Sequence, residues 1–327
     1  MRQLSLDVTV TRGDTVESRH RVHAAVVVGE DLVAVARDAQ LVTMWRSCAK
    51  PFQVMPLLVS GGFDRLGWGT EELALACASH GGEPEHLAVA ARMLGAIGLE
   101  EGDLACGPHE PLSNRGARLW RESGQPLTRL HNNCSGKHAA MLARAHTMHW
   151  PTRGYERAEH QVQLSCLGEV SCWTGVPLDD MPVAVDGCGA AVMALPLSRM
   201  ALAYARLGAA IAGGDEVPSR IAAAMRAHPT LIGGCERFDT ILLQETQGRV
   251  LAKVGAEGVH TVMVPERRMG FAVKVEDGAL RAQHAAVVEV LRLLDVLPAL
   301  PPKLADYVHK PIRNTRGEQV GELSVTE

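Results

Sequence analysis

What most limits the fold of this chain is where its strand patterns stand: at the two ends, with helical patterns between them. Residues 3–12 alternate apolar and polar through Leu4, Leu6, Val8 and Val10, the period-2 signature of a half-buried strand. Gly13-Asp14 marks a turn. Residues 22–28 and 32–36 read as two further strands joined by Gly29-Glu30-Asp31, which predicts a three-stranded antiparallel meander. From about 51 to 230 the pattern is mostly helical, over 70–77, 84–98, 135–148, 156–167, 197–211 and 218–227. Strands return only after residue 238, over 249–254, 259–264 and 270–275, before a helix over 280–294 and a proline-introduced tail. The expectation is an α/β chain whose antiparallel sheet is built from both chain ends, with flanking helices and an inserted helical lobe. It reads as a single two-lobed unit over 1–327. The sheet lobe takes about 1–50 and 238–327, the helical lobe about 51–237, and a site commonly lies between such lobes.

Composition excludes several classes. With 327 residues, 46% of them hydrophobic and 21% charged, the chain can bury a large core. The net charge of −4, without a sustained basic run, argues against nucleic acid as a partner. No stretch approaches the roughly 18 apolar residues that span a bilayer, and the first residues carry no apolar signal core. Eight cysteines in a chain this long do not make a small secreted disulfide framework, so a reduced, cytoplasmic protein is expected. Gly213-Gly214 and Gly233-Gly234 lack a phosphate-loop context, and no nucleotide cofactor is expected.

The stretch Trp45-Arg46-Ser47-Cys48-Ala49-Lys50-Pro51-Phe52-Gln53 carries the first chemical signal. Ser47 and Lys50 stand one helical turn apart, and Pro51 suits an early helical position. A serine hydroxyl needs a base within hydrogen-bond reach. A lysine can be that base only as a free amine, a form favoured by burial or a second cation. Alone, the pair reads more simply as a helix cap followed by a solvated lysine. Two later features add to it: Ser79-His80-Gly81-Gly82 in a loop between helices, and Lys253-Val254-Gly255 on a late strand. Together they resemble the three-part layout of serine penicillin-recognising enzymes, with Val254 where that layout has Thr or Ser and with no Ser-Asp-Asn. Lys253 would be the second cation and the strand after it an oxyanion-hole donor; a solvated strand-end lysine is the alternative.

A second constellation, His131-Asn132-Asn133-Cys134-Ser135-Gly136-Lys137-His138, opens a helix. Val185-Asp186-Gly187-Cys188-Gly189 sets another cysteine between glycines. Two cysteines with a histidine or a neutral lysine can bind zinc through thiolates, or be buried and inert. Asp186 can receive an ammonium group or cap its own turn.

These five segments, in this order, resemble the rhizobial-type (class 3, "asparaginase II") L-asparaginases over roughly residues 4–325. The resemblance implies a serine β-lactamase-like, glutaminase-like fold, a homodimer, and hydrolysis of L-asparagine to L-aspartate and ammonia. It implies Ser47 as nucleophile, Lys50 as its base, and Ser79 and Lys253 as supporting catalytic groups. It further implies zinc held by Cys134, Lys137 and Cys188, with Asp186 and His138 at the metal and substrate site. His80, in the Ser79 loop, joins Asp186 and His138 as an expected substrate-binding residue. Two rivals stand beside this reading: a serine amidohydrolase acting on glutamine or a cyclic amide, and a non-catalytic zinc- or thiol-responsive binding protein.

Overall fold

A computed structural model describes residues 1–326. The chain forms two compact units, one of Met1–Thr43, Leu195–Ala209 and Glu245–Glu327, the other of Met44–Ala194 and Ala210–Gln244.

In the first unit the two ends of the chain meet twice. Val22–Val28 runs antiparallel to Met269–Val275, with Ala25 opposite Ala272. Asp31–Ala36 and Arg2–Gln3 on one side, and Val259–Val264 and Leu251–Val254 on the other, complete a six-stranded sheet. Its middle strands are buried almost throughout, which is why they read as apolar runs. A second, four-stranded sheet places Val8–Arg12 between Thr15–His20 and Gln319–Val325, with His309–Arg313 on the far edge. Here Val10 faces Leu323 on one side and Ser18 on the other. Helix Leu280–Leu293 packs against strands of both sheets and buries Ala282, Ala285, Val287, Val288 and Leu291. Part of helix Leu197–Gly213 lies so close to the six-stranded sheet that a Cβ on Gly270 would fall 2.2 Å from the Ala205 nitrogen.

Two expectations change here. The opening strands are not one meander: Val8–Arg12 leaves for the second sheet, paired with the unread strand Thr15–His20. Thr-Val-Glu-Ser-Arg-His is mostly exposed and shows no apolar alternation. The tail after Pro302 is a short helix, Pro302–Val308, followed by a strand pair whose first member is again largely exposed.

The second unit is mainly helical. Helix Ser135–Thr147 crosses Thr70–Cys77 at backbone contact, since a Cβ on Gly136 would stand 2.4 Å from the Leu75 carbonyl oxygen. The helix read over 156–167 runs instead over Gln161–Thr174, because the His160 side chain accepts the Val162 N–H and caps it there. Helix Asn114–Ser123, capped by Ser113, has too few apolar residues to show a stripe. Val183–Val185 pairs antiparallel with Ala191–Pro196, and the turn between them carries Asp186 and Cys188. Among the described residues no helix is long and apolar enough to cross a membrane.

Candidate active site

The Ser47 segment is built by its aromatic anchors. Trp45 is buried, donates its backbone N–H to the Met193 carbonyl at 2.9 Å, and packs its ring 5.0 Å from Phe52. Between these anchors the chain turns as a 3₁₀ helix, Arg46–Ala49, and continues as the α-helical turn Lys50–Gln53. The Lys50 backbone N–H bonds to the Ser47 carbonyl, which keeps the two residues one turn apart on nearly one face. Arg46, immediately before Ser47, has φ of +52°, a left-handed conformation that a non-glycine residue adopts at a cost.

Lys50 is 1% exposed. Its Nζ donates to the Ala78 carbonyl, to Ser79 Oγ at 3.1 Å and to the Asn133 carbonyl at 3.3 Å. None of these partners is a carboxylate, and Ser47 Oγ is not one of them. The hydroxyl in contact with the lysine is therefore that of Ser79, while Ser47 lies half-buried one turn before it. The Asn133 carbonyl also accepts the His80 N–H at 3.2 Å, and the Ser79 N–H bonds to the Ile232 carbonyl at 3.1 Å, so the loop after Thr70–Cys77 is pinned on both sides. His80 itself is fully used. Its Nδ1 accepts the Gly82 N–H at 3.2 Å, its Nε2 lies 2.8 Å from Ser135 Oγ, and burial holds it well below the usual histidine range. It fastens the loop to the helix.

The second cluster joins the N-terminal turn of Ser135–Thr147 to the turn before Ala191–Pro196. Lys137 Nζ stands 3.0 Å from Cys188 Sγ, and both residues are buried. The Cys134 thiol donates to Asn133 Oδ1 at 3.4 Å, and Cys188 beside it, together with burial, pushes it up to about 12. Cys134 and then Lys137 bring Cys188 down to about 5 against the cost of burial, which favours its thiolate form. The thiolate in turn raises Lys137 despite burial. Asp186 is half spoken for: Oδ1 takes Arg46 Nε at 2.7 Å and the Gly187 N–H at 2.8 Å, while Oδ2 has Cys188 Sγ at 3.9 Å. Burial raises its carboxyl, but Lys137 and Arg46 outweigh this and keep it below the usual range. His138 is wholly buried and pushed down to about 3, chiefly by burial and then by Lys137. Among the described residues no three His, Cys, Asp or Glu side chains are grouped to hold a metal.

Ser79, Lys50, Cys134, Lys137, His138, Asp186 and Cys188 thus fall into two linked networks of one unit, joined through the Asn133–Cys134 peptide. Lys253 belongs to the other unit. It is buried on strand Leu251–Val254, opposite Thr261, with Nζ 2.8 Å from the Val254 carbonyl. Sequence reasoning missed three contributors. Arg46 was legible only as the neighbour of Ser47. The Asn133 carbonyl, being backbone, leaves no residue signature. Tyr155 lies among turns where no periodicity exists, yet its hydroxyl is 2.6 Å from His138 Nδ1.

Residues 8–325 match the model of L-asparaginase II, and the chain belongs to that family. No curated protein matches it. Solved structures that resemble it include Mglu in its native form in 4.3 M NaCl, at 16% identity over 85% of this chain and 61% of Mglu, with a TM-score of 0.39. Mglu in its L-glutamate-binding form is similar at 17% identity, 85% and 61% coverage and the same TM-score. The chain thus spans about three fifths of those molecules, and at that TM-score the likeness bears on neither fold nor chemistry.

Proposed function

We propose that this chain is an L-asparaginase that hydrolyses the side-chain amide of L-asparagine through an ester on Ser47, on a serine β-lactamase-like, glutaminase-like fold. The observation that carries the reading is Lys50: a buried amine with no carboxylate partner among the described residues, bonded to a hydroxyl and sited one turn from a second serine. As a free amine it would donate to the Ala78 and Asn133 carbonyls and turn its lone pair to Ser79 Oγ, which would relay the proton of Ser47. Ser47 Oγ would then attack the amide carbon, with the oxyanion on backbone N–H groups. Ammonia leaves with the proton returned by the lysine. A water deprotonated along the same route cleaves the β-aspartyl ester and frees aspartate. Lys253 stands as a supporting catalytic group by the family resemblance alone. Asp186, through its less occupied oxygen, would receive the α-ammonium.

The sulphur cluster suits zinc by its donors, with Cys188 shifted toward its thiolate form, a second cysteine beside it, and a lysine nitrogen that must lose its proton to bind. Zinc held by Cys134, Lys137 and Cys188 would supply fixed positive charge beside the substrate's anionic groups. A homodimer in the cytoplasm completes the proposal.

The deciding experiment is ammonia release from L-asparagine, L-glutamine and a chromogenic β-lactam, with and without chelator, for wild type and Ser47→Ala. Asparagine should be the preferred substrate, and Ser47→Ala should lose about a thousandfold or more in turnover while keeping its fold by circular dichroism. Glutamine preferred over asparagine, or turnover that survives Ser47→Ala, would overturn it.

A further inference from the structure

His138 sits near the start of helix Ser135–Thr147, wholly buried, and its Nε2 has no hydrogen-bond partner among the described residues. Its other ring nitrogen, Nδ1, stands 2.6 Å from the Tyr155 hydroxyl. The same hydroxyl accepts the Ala105 N–H at 2.9 Å. A backbone N–H can only donate, so the phenol oxygen must direct its own proton elsewhere, and the acceptor beside it is His138 Nδ1. Were Nδ1 protonated instead, the phenol oxygen would face two donors. Its own proton would then be buried with nothing to receive it. The hydroxyl therefore selects the tautomer. With Nδ1 as acceptor, the neutral ring carries its proton on Nε2.

We infer that Tyr155 is a positioning residue: it fixes His138 as an Nε2–H donor whose missing partner is an acceptor oxygen of the bound ligand, a carboxylate or an amide carbonyl. The geometry supports this on three points. Tyr155 is itself buried, so its hydroxyl does not exchange partners with bulk water. The two rings meet edge to face at 79°, which fixes the imidazole plane as well as its proton. An unpartnered donor in a fully buried ring is unfavourable in the free protein and is satisfied once a ligand oxygen arrives. In this state His138 does not offer Nε2 to a metal and does not receive a substrate ammonium. It addresses the oxygen-bearing end of the substrate. The naming of that substrate rests on the activity proposed above; the tautomer and the role of Tyr155 do not.

The test is histidine ¹⁵N NMR on the full-length protein as purified, with the His138 signals assigned by their loss in His138→Gln. Wild type should show a protonated Nε2 and an unprotonated Nδ1, and Tyr155→Phe should convert His138 to the other tautomer or to a mixture. In steady-state kinetics Tyr155→Phe should raise KM for L-asparagine about tenfold and change kcat by less than about threefold. A merely structural loss would lower the folded fraction and leave KM alone. Wild-type His138 protonated on Nδ1, or a tautomer and KM unmoved by Tyr155→Phe, overturns the inference. If Tyr155→Phe does not fold, the wild-type tautomer decides by itself. If wild type releases no ammonia from asparagine, the proposed activity fails, and the NMR comparison still passes or fails this inference alone.

Discussion

Lys137 occupies an unfavourable place for a cation, the N-terminal turn of a helix, where the macrodipole and burial both oppose it. What holds it there is the Cys188 thiolate at 3.0 Å, with Asp186 adding its charge. This pairing has a thermodynamic signature. An unfolded cysteine ionises near 8.5, whereas folded Cys188 does so at about 5. Between those values the unfolded chain binds a proton that the native one does not, so native stability rises with pH through this window. The contribution is complete above about 8.5. It is lost as the pH falls through 5. In chelator-treated protein, the unfolding free energy of wild type minus that of Cys188→Ser should therefore climb from pH 5 to about 8.5, by at most about 1.4 kcal/mol per unit, and flatten beyond. Denaturant titrations across that range check it. Parallel curves would show that Cys188 is an ordinary buried thiol.

At the level of elements, one glycine shows how the networks are brought together. Helix Ser135–Thr147 announces itself in sequence by its apolar period and by the polar Asn-Asn-Cys before it. What sequence does not display is that Gly136 lets the helix lie on the Leu75 backbone, and so brings the Asn133 carbonyl to Lys50. The turn carrying Asp186 and Cys188 was legible as residues and not as a hairpin, because Val183–Val185 is exposed and has no buried face to alternate against. Tyr155 was hidden for a related reason: the positions around it form turns up to His160, and its partners are distant in sequence. Replacing Gly136 by Ala sets two effects against each other. Alanine gains about 1 kcal/mol of helix propensity, but the new methyl would sit 2.4 Å from a backbone oxygen that cannot rotate away. Overpacking of this kind costs about 1–3 kcal/mol, so the clash wins. Gly136→Ala should lower the thermal midpoint and reduce turnover together. Gly168→Ala in helix Gln161–Thr174, where nothing lies within 4 Å of the new methyl, should raise the midpoint and leave turnover unchanged. Calorimetry and ammonia release on both proteins decide this; a Gly136→Ala protein as stable as wild type would sink the close-crossing account.

For the molecule as a whole, the joining of the chain ends was legible in one sheet and silent in the other. Val22–Val28 and Met269–Val275 are central strands, buried on both faces, and their composition says so. Thr15–His20 and His309–Arg313 are edge strands with polar, exposed side chains; each pairs with its neighbour in sequence, and the ladder between Val8–Arg12 and Gln319–Val325, which alone joins the two ends in this sheet, is encoded by no local pattern. The second sheet is nonetheless the place where the ends depend on each other most. Gln319–Val325 covers one side of Val8–Arg12 and buries Leu323 against the same layer as Val8 and Val10. A chain ended at Val308 would leave the ladder groups of Val8–Arg12 open along one side and uncover part of helix Leu280–Leu293, which touches Gln319–Val325 in the intact protein. Losing one buried leucine alone removes about 1.5–3 kcal/mol, a large share of a typical folding free energy of about 5–15 kcal/mol. An opened strand edge beside apolar surface also favours association. The truncated chain should therefore appear mainly in the insoluble fraction, and what remains soluble should elute as aggregate in size-exclusion chromatography with a broadened thermal transition. A monodisperse truncation product with the wild-type midpoint would mean that the terminal strands are an accessory to the six-stranded sheet and that the first unit folds without them.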